Sequence, residues 1–322
     1  MLNQYQQKME NRCLYCYKPL EAGFDFHEKC SLEFFGTSTP PVIEYSLNQM
    51  DELAKNIVER SIAVPGVQAK LSMSIVRGAM ERSSTRLTVV GALGGQYIFK
   101  PPTVRFPEMP QNEHVTMRIA QAFGIKVAPS SLIKLASGEL SYITRRVDRT
   151  ESGEKIHMID MFQITEAYDK YKSSMEKVGK AIDTYSSNTL LDKILYLELA
   201  LFSFLTGNND MHLKNFSMIE SKSGWVLSPA YDLLNVSILI PKDDEELALT
   251  ISGKKKRLKW EHFVQLGRGM GLSEKQITGI LTRFKREAHK ASDLLDKSFL
   301  SAGMIAKYKE LLEKRFRQIE SI

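Results

Sequence analysis

Apolar residues recur along this chain with two different periods, and the balance between them shifts near the middle. Leu47, Met50, Leu53 and Ile57 follow one another at spacings of three, three and four, which places them on one face of a helix ending near Arg60. Pro65 and Gly66 keep residues 61–70 from continuing that helix. Short alternating or β-branched runs follow at 71–77, 86–90 and 96–100, with Gly91, Gly94 and Gly95 marking a tight turn. Two further strands, 131–135 and 140–147, flank a turn at Gly138. Between these groups Asn112 is placed to cap a helix through Val115, Ile119 and Phe123, which Gly124 can end in a left-handed conformation. After about residue 155 long helical patterns take over, at 189–206, 260–270, 274–298 and 302–320. The expectation is an α+β chain with a small antiparallel sheet in its first half and helices in its second.

Composition narrows the class. With 322 residues, 43% apolar and 25% charged, the chain can bury a full core, and the disordered, collagen-like and repeat classes are excluded. The first dozen residues contain no apolar run of signal-peptide length, and no stretch of 18 uncharged apolar residues occurs anywhere. The most apolar window, 190–205, is interrupted by Asp192, Lys193 and Glu198, each of which would cost ~2.5 to 3.5 kcal/mol in hydrocarbon. It reads as a buried helix, and the chain as a cytoplasmic protein with no membrane partner. Formal charge, 44 minus 38 or +6, favours anionic partners without choosing among them. The densest positive run, Lys254 to Arg257 with Lys259, is either a solvated turn or a phosphate or nucleic-acid contact.

All three cysteines lie within 18 residues, in the spacing Cys13-x2-Cys16-x10-His27-x2-Cys30. Three is an odd number for disulfides, so a metal site in a reducing compartment is the economical reading. Two close pairs of such donors can wrap a tetrahedral Zn²⁺, and four protein ligands would leave no position for water or substrate. The expected zinc is structural. The run Thr37-Ser38-Thr39-Pro40-Pro41 punctuates the end of this segment as an extended linker. The expected organisation is a zinc-binding segment and linker at 1–41, a sheet-rich nucleotide-binding lobe at 42–147 and a helical catalytic lobe at 148–322.

The segment Gly207-Asn208-Asn209-Asp210-Met211-His212-Leu213-Lys214-Asn215-Phe216 places an Asp and an Asn five apart, just after the buried helix. An isolated Asp232 follows in Ser228-Pro-Ala-Tyr-Asp-Leu-Leu234. Phosphoryl transfer needs a carboxylate to orient the attacking hydroxyl, with an amide and a second carboxylate to hold Mg²⁺ on the phosphates. These residues supply that set in kinase order; without further support they would equally serve as caps and turns. Lys100 ends the strand Tyr97-Ile98-Phe99-Lys100, where a nucleotide-binding lysine would sit, and Glu113 opens the next helix and can pair with it. Val64-Pro65-Gly66-Val67-Gln68-Ala69-Lys70 offers backbone amides to phosphates, though with a single glycine.

Taken together, the PGVQAK loop, YIFKP, the NEH at 112–114, TRRVDR at 144–149, GNNDMHLKNF and LSPAYDLL resemble the HipA-like serine/threonine kinase toxins of toxin-antitoxin systems. The match runs in family order from about Ser61 to the C-terminus. The resemblance implies a bilobed protein-kinase-like fold, an ATP- and Mg²⁺-dependent protein serine/threonine kinase activity, and Asp210 as catalytic base. It implies Asn215 and Asp232 as Mg²⁺ ligands and Lys100 on the nucleotide phosphates. Pro65, Gly66, Val67, Gln68, Ala69 and Lys70 match the segment that reaches over ATP. Arg145, Arg146 and Val147 match the strand joining the lobes, where backbone groups hold adenine, and His212, Lys214 and Tyr231 complete the nucleotide side. The implied substrate is a protein of translation, often an aminoacyl-tRNA synthetase in the family, and the implied partner is a HipB-type antitoxin through which DNA is contacted indirectly.

Two departures from the pattern carry expectations of their own. Only the cysteine cluster and one helix stand where the family's long members have a further N-terminal subdomain, so the chain resembles the short form, in which a separate small protein can supply it. The loop serine that the family autophosphorylates matches Ala63, with Ser61 two residues earlier. Two rival functions are a zinc-containing DNA-binding regulator and a kinase-shaped scaffold without transfer. The intact set Lys100, Asp210, Asn215 and Asp232 argues against the scaffold.

Overall fold

A computed structural model describes residues 11–50, 52–53, 70–76, 85–90 and 94–320 of the chain. Residues 65–69, Ser61, Ala63 and most of the helix expected after Leu47 lie outside these. The chain divides into two compact units: residues up to Val104 with Pro129–Arg145, and Arg105–Ala128 with Arg146–Ile322.

The first unit is built on a five-stranded antiparallel sheet of β1 (Leu71–Val76), β2 (Arg86–Val89), β3 (Tyr97–Lys100), β4 (Ser130–Lys134) and β5 (Leu140–Arg145), in the order β2-β1-β3-β5-β4. Period-two alternation sets its faces: Leu71 and Met73 are buried while Ser72 and Ser74 between them are partly exposed. The turn into β3 depends on Gly95 at φ +81, where an added Cβ would lie 2.7 Å from the Met73 carbonyl oxygen. Phe99 pairs with Ile143 and Lys100 with Tyr142 across the central ladder.

The Cys/His segment belongs to this same unit. Its helix α1 (Glu28–Phe35) ends on Gly36 at φ 73, and it buries Phe34 and Phe35 against Tyr97 of β3, with ring centroids 5.8 and 6.1 Å apart. The Tyr97 hydroxyl donates to the Phe34 carbonyl at 3.3 Å, and the Leu132 N–H of β4 donates to the Leu14 carbonyl at 3.3 Å. Beyond Pro40-Pro41, Val42 donates to the Thr85 carbonyl and accepts from Leu87 N–H, both at 3.0 Å. The residue just past the expected linker is thus bridged to β2, where an extended backbone beside an edge strand satisfies its polar groups.

The second unit carries α2 (Met109–Ala122), which starts three residues before the expected cap and packs with the helices. The rest comprises α3 (Met161–Ile164), α4 (Met175–Tyr185), α5 (Thr189–Leu205), α6 (Val236–Leu239), α7 (Trp260–Gly269), α8 (Glu274–Lys297) and α9 (Ala302–Glu320). A second antiparallel sheet of β6 (Met158–Asp160), β7 (Ser217–Ser221) and β8 (Gly224–Leu227) lies among them. The core is aromatic: Phe202 and Phe284 flank Phe123 at 5.8 and 5.1 Å between centroids, and Phe204 meets Phe263 at 5.3 Å. The charges inside α5 are answered, as burial requires. Asp192 accepts from the Ser186 hydroxyl at 2.6 Å and from Leu227 N–H at 2.7 Å, and Glu198 meets Arg283 at 2.6 Å. In the basic run, Lys255 meets Glu245 at 3.1 Å and Lys256 pairs with Asp244, so an acidic stretch matches part of it. Among the described residues no helix is long and apolar enough to cross a membrane.

Candidate functional site

The loop that carries Asp210 begins where α5 ends. Gly207 turns the chain at φ 68, and a Cβ there would lie 2.5 Å from Leu311 Cδ2 and 2.9 Å from both Asn235 Oδ1 and Ser237 Oγ, so only glycine fits. Its carbonyl accepts from the N–H groups of Val236 and Ser237, each at 3.1 Å. Asn208 and Asn209 are buried fasteners: Asn208 N–H donates to the Ser203 carbonyl at 2.8 Å, and Asn209 Nδ2 to the Glu245 carbonyl at 3.1 Å. The next residue, Asp210, keeps a half-exposed side chain.

Asp210 and Asn215 are brought together by a single turn of 3₁₀ helix, Leu213–Asn215. The Asp210 carbonyl accepts from His212 N–H at 2.8 Å and from Asn215 Nδ2 at 3.1 Å. With its amide nitrogen so engaged, Asn215 retains its carbonyl oxygen as the atom suited to a hard cation. Asp210 Oδ1 accepts the Tyr171 hydroxyl at 2.6 Å. His212 is buried, its ring edge-on to Tyr171 at 5.1 Å, and burial lowers its affinity for a proton more than the Asp210 carboxylate raises it. Lys214 is exposed, with Nζ 4.8 Å from the Phe162 ring centroid.

Asp232 occupies the left-handed region at φ 55, a conformation that costs a non-glycine residue of order 1 to 3 kcal/mol and persists only where the surroundings enforce it. Its neighbours hold it there. The Tyr231 hydroxyl donates to the Lys214 carbonyl at 3.0 Å and shares a hydrogen bond with Ser217 Oγ at 2.6 Å, while Leu233 is fully buried. The Tyr231 side chain therefore supports the loop, its hydroxyl already engaged. Burial pushes that phenol well above its ordinary range. In the TRRVDR segment, Arg146 grips Asp148 through two bonds of 2.8 and 2.7 Å, and Arg149 adds one at 2.6 Å. Burial raises the Asp148 carboxyl, but the hydrogen bonds and charges of Arg146 and Arg149 outweigh it and hold it below the usual range.

In the first unit, Lys100 is buried at 3% exposure, with its Nζ 5.2 Å from the Tyr142 ring centroid. Arg145 closes β5 opposite Tyr97, its N–H donating to the Pro129 carbonyl at 2.9 Å. Val147 follows in the second unit, and Lys70 is exposed at the start of β1. Glu113 is fully buried in α2.

The four Cys/His donors lie within 4.8 Å of one another. His27 Nε2 sits 3.0 Å from the Pro19 carbonyl, which requires a proton on Nε2 and leaves the Nδ1 lone pair facing Cys16 and Cys30 Sγ at 3.4 and 3.7 Å. A second-sphere carbonyl that fixes the tautomer is the usual companion of a metal-binding histidine. Burial pushes the Cys16 and Cys30 thiols up, and the Cys13 sulfur beside them pushes further, so together they become thiolates only around a cation. The donor set fits a closed tetrahedral Zn²⁺.

Two contacts around the loop were not given by the spacing of its motifs. Tyr171 reaches Asp210 from 39 residues away, signalled only by the turn in which its N–H donates to Asp169 Oδ1 at 2.9 Å. Asn112, the first residue of the NEH motif, fastens Asn235 near Asp232.

A family model described as the HipA-like C-terminal domain matches residues 62–292. A Haemophilus influenzae protein provisionally named a kinase is 25% identical over 272 residues, covering 75% of this chain and 77% of that protein. A Shewanella oneidensis protein named serine/threonine-protein kinase toxin HipA is 25% identical over 252 residues, 71% of this chain but 56% of its own length. A solved complex of HipA, HipB and operator DNA from Shewanella oneidensis contains a chain that superposes with TM-score 0.68 at 22% identity, over 84% of this chain and 71% of that one. That likeness is one of fold.

Proposed function

Because the chain belongs to the HipA-like C-terminal domain family, whose model matches residues 62–292, we propose that it is an ATP-dependent protein serine/threonine kinase of the HipA-like toxin type. The observation that carries the reading is the turn in which Asn215 Nδ2 binds the Asp210 carbonyl at 3.1 Å. One short loop thereby presents a half-exposed carboxylate and a preset amide, the pair phosphoryl transfer needs.

In this reading Asp210 accepts the hydrogen bond of the attacking serine or threonine hydroxyl and takes its proton as the γ-phosphoryl group leaves ADP. Asn215 and Asp232 would hold Mg²⁺, which when bound offsets charge on the phosphates. Lys100 opposes the same charge from the end of β3. Residues 145–147 supply backbone groups to adenine, which suits Arg146, since its guanidinium is occupied by Asp148. Residues 65–70 cover ATP, and His212 acts as a neutral imidazole beside the loop. Structural Zn²⁺ is held by Cys13, Cys16, His27 and Cys30. The protein works in the cytoplasm on a protein of the translation machinery such as an aminoacyl-tRNA synthetase. A HipB-type antitoxin and a small N-subdomain-like protein are its proposed partners.

The test is transfer of labelled γ-phosphate from ATP into host-lysate protein. Asp210→Asn is expected to lower the rate about 10³-fold or more while the fold survives. An Asp210→Asn protein that transfers phosphate at the wild-type rate would remove Asp210 from the chemistry.

A further inference from the structure

From outside the expected catalytic set, Tyr171 brings a polar atom directly onto the Asp210 carboxylate. Its hydroxyl donates to Asp210 Oδ1 at 2.6 Å, the length of a charge-assisted O–H···O⁻ bond. Asp210 has little other freedom. Its carbonyl is held by His212 N–H and Asn215 Nδ2, which leaves the side-chain torsions as the one unfixed element.

Tyr171 is itself held in place. Leu213 N–H, from the Asp210 loop, donates to the Lys170 carbonyl at 3.2 Å, and Tyr171 N–H donates to Asp169 Oδ1 at 2.9 Å. On the far side, Thr250 N–H donates to the Ser173 carbonyl at 3.3 Å and Met175 N–H to the Thr250 carbonyl at 2.9 Å. The ring stands edge-on to His212 at 81° and carries Lys170 Nζ 4.9 Å from its centroid. Backbone bonds on both sides thus deliver the phenol to the carboxylate. Burial and the Asp210 charge both push its proton affinity up, so it remains a donor.

We infer that Tyr171 is a positioning residue for Asp210: by occupying Oδ1 it fixes the carboxylate plane and assigns Oδ2 to the incoming acceptor hydroxyl. An ionised carboxylate offers two equivalent oxygens, and one of them must lie in line with a hydroxyl approaching the γ-phosphate. Losing that alignment by about 1 Å can cost on the order of 10²-fold in rate. The inference rests on Asp210 being the catalytic base.

The experiment compares full-length wild type, Tyr171→Phe and Asp210→Asn, using labelled ATP and host-lysate protein as acceptor. It records the maximal rate, the ATP concentration at half that rate and the thermal midpoint. Tyr171→Phe keeps the ring on His212 and removes only the hydroxyl. Its maximal rate is expected to fall about ten- to a hundredfold, with half-saturating ATP and thermal midpoint unchanged. A wild-type maximal rate in Tyr171→Phe, with Asp210→Asn inactive, overturns the positioning role and leaves Asp210 as base. A lowered midpoint or a parallel rise in half-saturating ATP assigns Tyr171 to the fold and equally overturns it. Label recovered on Tyr171 itself would make the phenol an internal acceptor, also against the inference. Full activity in Asp210→Asn, or no transfer by wild type, removes the reading on which it rests.

Discussion

Asn112 and Asn235 are joined by two opposed hydrogen bonds: Asn112 Nδ2 donates to the Asn235 carbonyl at 3.0 Å, and Asn235 N–H donates to Asn112 Oδ1 at 2.8 Å. Both residues are fully buried, and Asn235 Oδ1 in turn caps α6 by accepting from Ile238 N–H at 3.2 Å. The pair therefore sets where the chain goes three residues after Asp232. Asn112→Ala would strand a buried N–H and a buried carbonyl, each costing about 1 to 3 kcal/mol. Urea unfolding is expected to show a loss within or above that range. An unchanged midpoint would mean the pair carries no stability.

Gly207→Ala tests the entry to the loop. The left-handed backbone and three contacts below 3 Å at the Cβ position act together. The expected destabilisation is about 1 to 3 kcal/mol, with phosphate transfer reduced because Asp210 lies three residues on. Thermal unfolding and the transfer assay check it, and normal values for both would mean the loop relaxes freely.

His212 gives a pH dependence with a definite sign. Its folded affinity for protons lies below the ordinary 6.5 because of burial. The unfolded chain therefore takes up the proton first, and stability falls as pH drops below about 6.5 while staying level from this group above it. Denaturant titrations at about pH 7.5 and about pH 5.5 should show a smaller difference in His212→Gln than in wild type. An equal difference would assign the acid sensitivity elsewhere.

About one zinc per chain is expected by elemental analysis of protein purified without added metal. The contacts of Phe34, Phe35 and Leu14 with β3 and β4 carry a consequence for function, since Lys100 ends β3. Cys13→Ser or chelation should therefore weaken nucleotide binding as well as unfold residues 11–36. The linker at Pro40-Pro41, taken alone, implies that nucleotide binding survives, and titration with labelled ATP separates the two outcomes.

The five strands of the first sheet were legible as short alternating or continuous apolar runs between turn residues, and the long helices by their helical period; their bounds differ from expectation by three residues or fewer. The second sheet was not. Its strands span three to five residues and sit between helices, too short for alternation to separate from a turn. Helix α4 was hidden for a related reason: Val178, Ala181 and Ile182 recur correctly, but with few large apolar residues. The Asp210 loop was readable because Asp, Asn and a second Asp stand at fixed offsets. The Tyr171 contact was not, because one hydroxyl crossing 39 residues leaves no spacing to detect. The acids at 243–246 that answer the basic run were visible, yet only the fold brings Asp244 and Glu245 beside Lys256 and Lys255.

In the first sheet, β2 and β4 are the outer strands, and a bare outer strand is a template for pairing with another molecule. Val42 lies along β2, Leu14 caps an outward N–H of β4, and Tyr45 receives the Ala136 N–H just past its end at 3.0 Å. The zinc segment thus covers part of the β4 margin through Leu14, while the chain just past the linker, at Val42 and Tyr45, meets β2 and the end of β4. Metal loss would then do more than loosen one knuckle: by freeing Leu14 it would bare part of the β4 border, making the apoprotein prone to self-association before it is fully unfolded.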